Sequence, residues 1–335
     1  MLFSSMVFLL IFLPCIIILN SFLSLLPFSS SYQKVSAKNF VMLAASLFFY
    51  AWGGIPYLFI MLVSIAVNYC GGCLLERFSG DSVRRKQVLI LFIILNLGLL
   101  FFFKYFNMFV IIIEAFLQPG QGIKEILHSM LLMEGTGTLG MPYIVLPVGI
   151  SFFTFQAMSY VIDVYTGKAG AQKKFVPFAL YVSLFPQLIA GPIVKYSDVN
   201  MQIRERQESA ELFCSGVKRF CYGLGKKVLI SNTFAEIADA VWGLETASIG
   251  TVLAWFGAIA YTLQIYYDFS GYSDMAIGLG RMFGFQFKEN FNYPYLASSV
   301  QDFWHRWHMS LSSWFKEYVY IPLGAATGRE QPVLI

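Results

Sequence analysis

Two histidines three residues apart, His305 and His308, stand in Gln301-Asp302-Phe303-Trp304-His305-Arg306-Trp307-His308-Met309-Ser310. A neutral imidazole takes a proton from a hydroxyl near neutral pH, so His308 suits general-base work. Read as one helix, Trp304, Trp307, Leu311, Trp314 and Tyr318 form an aromatic stripe. Asp302, Arg306, Ser310, Ser313 and Glu317 form a polar stripe, and His305, His308 and Ser312 lie between the two. An interfacial helix accounts for both stripes. It does not account for two histidines beside an arginine against an apolar wall, because ionisable groups at membrane depth are costly and usually functional. On these residues alone both readings of His308 stand. The third histidine, His128, reads as a solvated loop residue. No metal site is expected, since two ligands without a nearby Cys or His cluster do not make one.

A second cluster is Gln264-Ile265-Tyr266-Tyr267-Asp268-Phe269-Ser270-Gly271-Tyr272-Ser273-Asp274. Asp268 and Tyr272 are candidate pocket residues. The alternative is a helix end, with Asp268 or Asp274 capping the next helix. A third stretch, Phe185-Pro186-Gln187-Leu188-Ile189-Ala190-Gly191-Pro192, reads as a turn or as a second pocket wall carrying Gln187. Cys70 and Cys73 form a C-x-x-C inside an apolar run with no partner pair, and they read as small buried residues.

The elements that position these residues belong to a membrane protein. Apolar residues make up 57% of the 335 and charged residues only 13%, against about 25% charged in a soluble domain. Several runs reach the ~20 apolar residues that cross a bilayer. Spans are expected at Leu2–Leu26, Phe40–Trp52, Tyr57–Leu75, Val88–Leu117 (broken near Lys104), Ile144–Val164, Val228–Val241 and Ile249–Tyr267. The first reads as a retained span, lacking a basic n-region and a cleavage site. Phe175–Ala190 is short and ends at Gly and Pro, the pattern of a re-entrant segment, because bare backbone cannot face lipid. Tyr196–Lys227 and Lys288–Leu323 read as amphipathic surface segments. The net charge of +4 falls in short clusters between apolar runs and implies no nucleic acid partner. With the N-terminus outside, loops 28–39, 76–87, 166–175 and 195–227 fall inside and hold most of the Lys and Arg.

The Asp268–Gly278 stretch, Asn290-Phe291-Asn292-Tyr293-Pro294-Tyr295, Phe303–Ser312, and Tyr320-Ile321-Pro322-Leu323-Gly324 resemble the membrane-bound O-acyltransferase family, in its alginate O-acetyltransferase-like branch. Leu146–Gln156 and Gln187–Ile193 match too. The resemblance implies an all-α polytopic membrane protein, a ring of transmembrane helices around a central funnel with re-entrant and amphipathic cytoplasmic helices. It would occupy residues 1–324, with 325–335 a divergent tail. The resemblance implies thioester acyl transfer in a bacterial inner membrane, with acetyl-CoA as donor substrate and no bound cofactor. Its partners would be membrane lipid, an extracytoplasmic acetyltransferase protein and a polysaccharide acceptor such as alginate. His308 matches one of two family active-site histidines; His305 carries no role over. Arg306 would attract the donor's phosphates, and Asp268, Tyr272 and Gln187 would line substrate or donor. The family's second histidine has no counterpart after His308. An inactive truncated remnant or one piece of a split acyltransferase is therefore the alternative expectation, and a channel or transporter using Asp163, Asp268 and Asp274 is the rival from another class.

Overall fold

A computed structural model describes residues 1–117, 146–189 and 191–324. His128, the expected outer loop and the tail 325–335 lie outside the described residues. Among the described residues the regular structure is helical, without strands. A π-helical turn, Phe8–Phe12, leads into α1 (Leu13–Leu25). Then come α2 (Ser31–Ala51), α3 (Ile55–Arg77) and α4 (Ser82–Leu117). Next are α5 (Ile150–Thr166), α6 (Phe175–Ser183) and α7 (Tyr196–Arg204). α8 (Ala210–Gly225) runs through a π segment, Lys226–Ser231, into α9 (Asn232–Trp242). α10 (Thr251–Met282) is followed by the short α11 (Val300–Arg306) and α12 (Met309–Phe315). Local chemistry sets several starts: Ser30, Ser209 and Ser299 each accept a first-turn backbone N–H.

Phe8–Leu25, Ile55–Arg77 and Ser82–Phe109 are long and apolar enough to cross a membrane. α4 shows no break at Lys104. Residues 178–188 of the short apolar stretch are buried in protein, as its composition requires. Phe178 through Ser183, Leu184, Phe185 and Leu188 are at most 1% exposed. Its irregular backbone finds internal partners: the Phe185 N–H donates to Ser46 Oγ at 3.1 Å and the Ile193 N–H to Ser310 Oγ at 2.9 Å. The helix there ends at Ser183, earlier than its apolar run suggested.

Two expected boundaries are absent. The surface segment ending at Lys227 and the crossing starting at Val228 form one helical rod from Ala210 to Trp242. The expected helix end at Asp268–Asp274 lies inside α10. The two absences have one cause. Lys226 donates to Asp274 at 2.6 Å, Arg219 pairs with Asp274 at 2.6 Å, and Lys227 pairs with Asp268. Charges that looked like helix punctuation are neutralised between two neighbouring helices. A further correction concerns Cys70 and Cys73, which are free and exposed on α3 rather than buried.

Loops 28–39, 76–87, 166–175 and 195–227 meet one another. Lys38 pairs with Glu208 at 2.5 Å, Lys174 bonds the Tyr32 hydroxyl, Lys173 lies 3.8 Å from Glu76, and Asn39 donates to the Ile203 carbonyl. All four therefore gather at one end of the helices.

α8 and α10 run antiparallel in backbone contact. A Cβ on Gly223 would lie 2.5 Å from the Gly271 carbonyl oxygen, and one on Gly216 would lie 2.6 Å from that of Gly278. Valine at 223 must push the helices apart, and overpacking of this kind costs about 1–3 kcal/mol. Gly223→Val is expected to lower the thermal unfolding midpoint in detergent by several degrees. Gly225→Ala, where nothing lies within 4 Å, is expected to leave it unchanged or raise it slightly. Equal midpoints for the two variants would contradict the packing.

Candidate active site

The histidine segment is not one helix. It breaks between Arg306 and Met309, and His308 has φ 44 and ψ 53, left-handed for a residue with a Cβ. That conformation costs roughly 1–2 kcal/mol. The aromatic stripe consequently splits: Trp304 is 52% exposed while Trp314 is 1% exposed. Trp314 instead packs on Phe155 of α5 and donates its Nε1–H to the Phe155 carbonyl at 3.1 Å.

What holds the break is the segment before it. The Met309 N–H donates to the Asn290 carbonyl at 2.9 Å, and the Asn292 N–H donates to the Arg306 carbonyl at 2.9 Å. The Leu311 and Ser312 N–H groups cap onto the His308 carbonyl. The Asn290 side chain completes the clamp. Its Oδ1 lies 3.0 Å from His308 Nδ1, 3.2 Å from the Ser310 nitrogen and 2.8 Å from Ser310 Oγ. Its Nδ2 donates to Ser273 Oγ on α10 at 3.0 Å.

His308 is 9% exposed. Its ring meets the edge of Phe269 from α10 at 4.7 Å, with Phe152 of α5 at 6.4 Å. α11 and α12, seven residues each, are too short to cross a ~30 Å hydrocarbon layer, so His308 lies outside the spanning segments. Burial lowers its pKa from the ordinary 6.5 to about 4, because desolvation penalises the imidazolium. At neutral pH this is a neutral imidazole, able to accept a proton. The next residue, Met309, lines a groove of about 880 Å³ together with Phe291, Asn292, Arg219, Lys226 and Asp274, although His308 itself is not part of the lining.

The other candidates do not converge on His308. Arg306 is held by Asp302 at 2.8 Å and reaches the Asn292 carbonyl at 3.5 Å. Asp268 pairs with Lys227. Tyr272 stacks on Phe3 at 4.6 Å, and its buried hydroxyl has no partner among the described residues. Gln187 is fully buried and donates to the Tyr181 carbonyl at 2.5 Å. No group of three or more metal-ligating side chains occurs among the described residues. Asn290, Ser273, Phe269 and Phe152 carried no role in the sequence reading. For Asn290 the signal was a polar Asn-Phe-Asn between apolar runs, readable only once its neighbours were known.

The family model described as "MBOAT, membrane-bound O-acyltransferase family" matches residues 91–332. The chain is 41% identical to the "Probable alginate O-acetylase AlgI" of Pseudomonas aeruginosa, over 98% of this chain and 58% of that protein. It is 36% identical to the "Peptidoglycan O-acetyltransferase" of Helicobacter pylori, over 86% of this chain and 56% of the relative. It is 29% identical to the "Teichoic acid D-alanyltransferase" of Bacillus subtilis, over 52% and 45%. The chain thus spans a little over half the length of its more similar relatives. Its helical architecture, its apolar spans and the extent of these matches make it a member of the membrane-bound O-acyltransferase family.

Proposed function

We propose that this chain carries part of the catalytic centre of a bacterial inner-membrane O-acetyltransferase, with His308 as general base. The observation that carries the reading is an imidazole buried at a held backbone break, one residue from Met309 in the wall of a groove. In the reaction, an acceptor hydroxyl oxygen attacks the thioester carbonyl of acetyl-CoA while the imidazole takes the hydroxyl proton. The carbon–sulfur bond then breaks, and the thiolate leaves and is protonated. The acetyl group passes towards an extracytoplasmic polysaccharide through a partner protein. The names of the alginate and peptidoglycan relatives support a polysaccharide-type acceptor. The gathering of the four basic loops at one end supports a cytoplasmic face there and an outside N-terminus. Lys195 and Lys168 both reach Glu317, and Lys288 reaches Asp198, which ties the histidine-bearing segment to the same face.

The transport reading finds no support. Asp163 accepts from the Tyr318 hydroxyl at 2.8 Å and the Ser197 N–H at 3.3 Å, while Asp274 and Asp268 are each held by basic side chains. Three separately compensated carboxylates do not form a pathway.

Transfer from radiolabelled acetyl-CoA, measured in vesicles holding this chain with the C-terminal segment of the P. aeruginosa relative, is expected to require His308. Loss of a general base costs about 10²–10⁴-fold, so His308→Ala retaining a tenth of the rate would sink the assignment. The same assay without the added segment tests the split-protein reading, which predicts no transfer. Because burial holds the His308 pKa near 4, the rate is expected to stay level as pH falls from 8 towards 5.5. It should drop only as the imidazole protonates below that. A loss centred near 6.5 would mean a solvated imidazole.

A further inference from the structure

We propose that Asn290 is a positioning residue that holds His308 in its Nδ1–H tautomer and leaves Nε2 as the proton-accepting nitrogen. The consequence for catalysis rests on His308 being the base; the tautomer itself does not.

The protons follow from the neighbours. The Ser310 backbone N–H can only donate, and it donates to Asn290 Oδ1 at 3.2 Å. That fixes the amide orientation, with Nδ2 donating to Ser273 Oγ at 3.0 Å. Ser310 Oγ already accepts from the Ile193 N–H at 2.9 Å and lies 2.8 Å from Oδ1, so its single proton points at Oδ1. His308 Nδ1 is 3.0 Å from the same oxygen. A bare Nδ1 would set two lone pairs against each other in a buried site, which costs about 1–3 kcal/mol. The protonated Nδ1 donates instead. A neutral imidazole carries one proton, so Nε2 keeps its lone pair. No hydrogen bond to Nε2 occurs among the described residues.

An amide suits this position better than a carboxylate. It accepts the Nδ1 proton without adding negative charge that would stabilise the imidazolium. The imidazole's other neighbours are the rings of Phe269 and Phe152 and the Ser310 hydroxyl. No charged side chain bonds to it among the described residues. The same asparagine accepts the Met309 N–H on its backbone carbonyl. One residue therefore sets the turn, the ring orientation and the tautomer.

The test is nitrogen-15 NMR of the full chain in detergent, labelled at the imidazole nitrogens. Only three histidines contribute, and His308→Gln identifies the His308 signals by their loss. At pH 7 the chain is expected to show a protonated Nδ1 and a bare Nε2 at His308. Asn290→Leu should replace this with a tautomer mixture or the reverse tautomer. Asn290→Asp should retain the Nδ1–H form and raise the His308 titration by about one pH unit, the effect of a nearby opposite charge. Asn292→Ala, which leaves its backbone bond to Arg306 intact, should change neither. An Nε2–H tautomer in the unaltered chain would overturn the proposal, as would the Nδ1–H signature persisting in Asn290→Leu. If the leucine variant does not fold, the aspartate variant still decides, because an unmoved titration there excludes contact at Nδ1. The spectra do not depend on acyl transfer, so the predicted spectrum together with full transfer by His308→Ala in the C-terminally extended protein would refute the catalytic reading and leave the tautomer standing.

Discussion

The contact between α8 and α10 is the constraint on which the site depends. Glycines seven residues apart on each helix, Gly216 with Gly223 and Gly271 with Gly278, bring the two backbones together. At that separation the side chains flanking the seam must be compatible. Lys226, Lys227 and Arg219 on one rod meet Asp268 and Asp274 on the other. Charges between packed helices are tolerable because each has a partner. The seam fixes the middle of α10, and α10 carries Phe269 and Ser273. Phe269 walls the imidazole and Ser273 receives the Asn290 amide. A chain of direct contacts thus runs from a glycine seam to the ring of His308.

This arrangement makes sense of an apolar protein with a polar interior. Asn290, Ser273, Ser310 and His308 are all buried, and their hydrogen bonds close on one another. A fully satisfied network in a low dielectric is rigid, whereas a half-satisfied one is costly. The left-handed backbone at His308 survives because hydrogen bonds from both sides over-determine it. Arg306, bonded to Asp302 and to the Asn292 carbonyl, reads better as a brace for the break than as a free cation awaiting phosphate.

The sequence made His308 legible because an ionisable group stood against an apolar wall. The burial of residues 178–188 was legible because a short apolar run ending in Gly and Pro cannot span a bilayer. Asn290 and Ser273 were not, since their partners are 18 and 17 residues away and only the fold joins them. The break at Trp307–His308 was hidden by a helical period that continues across it on both sides. A glycine at 308 would have announced the positive φ; a histidine does not. Lys226–Lys227 and Asp268–Asp274 were misread as boundaries for one reason. Each half of an interhelical ion pair looks like a helix-end signal until its partner is known. The family resemblance, carried by long ordered motifs, was legible over nearly the whole chain, and the matches to relatives bear it out.

The central claim is that His308 is the group that meets the reacting hydroxyl and thioester. The most direct test is a structure of this chain, with the C-terminal segment of its Pseudomonas relative, bound to a non-hydrolysable thioether analogue of acetyl-CoA. The acyl carbon is expected in the groove bounded by Met309 and Phe291, with room for one hydroxyl oxygen between it and the imidazole of His308. An analogue bound with its acyl end remote from that ring, and with the groove empty, would contradict it.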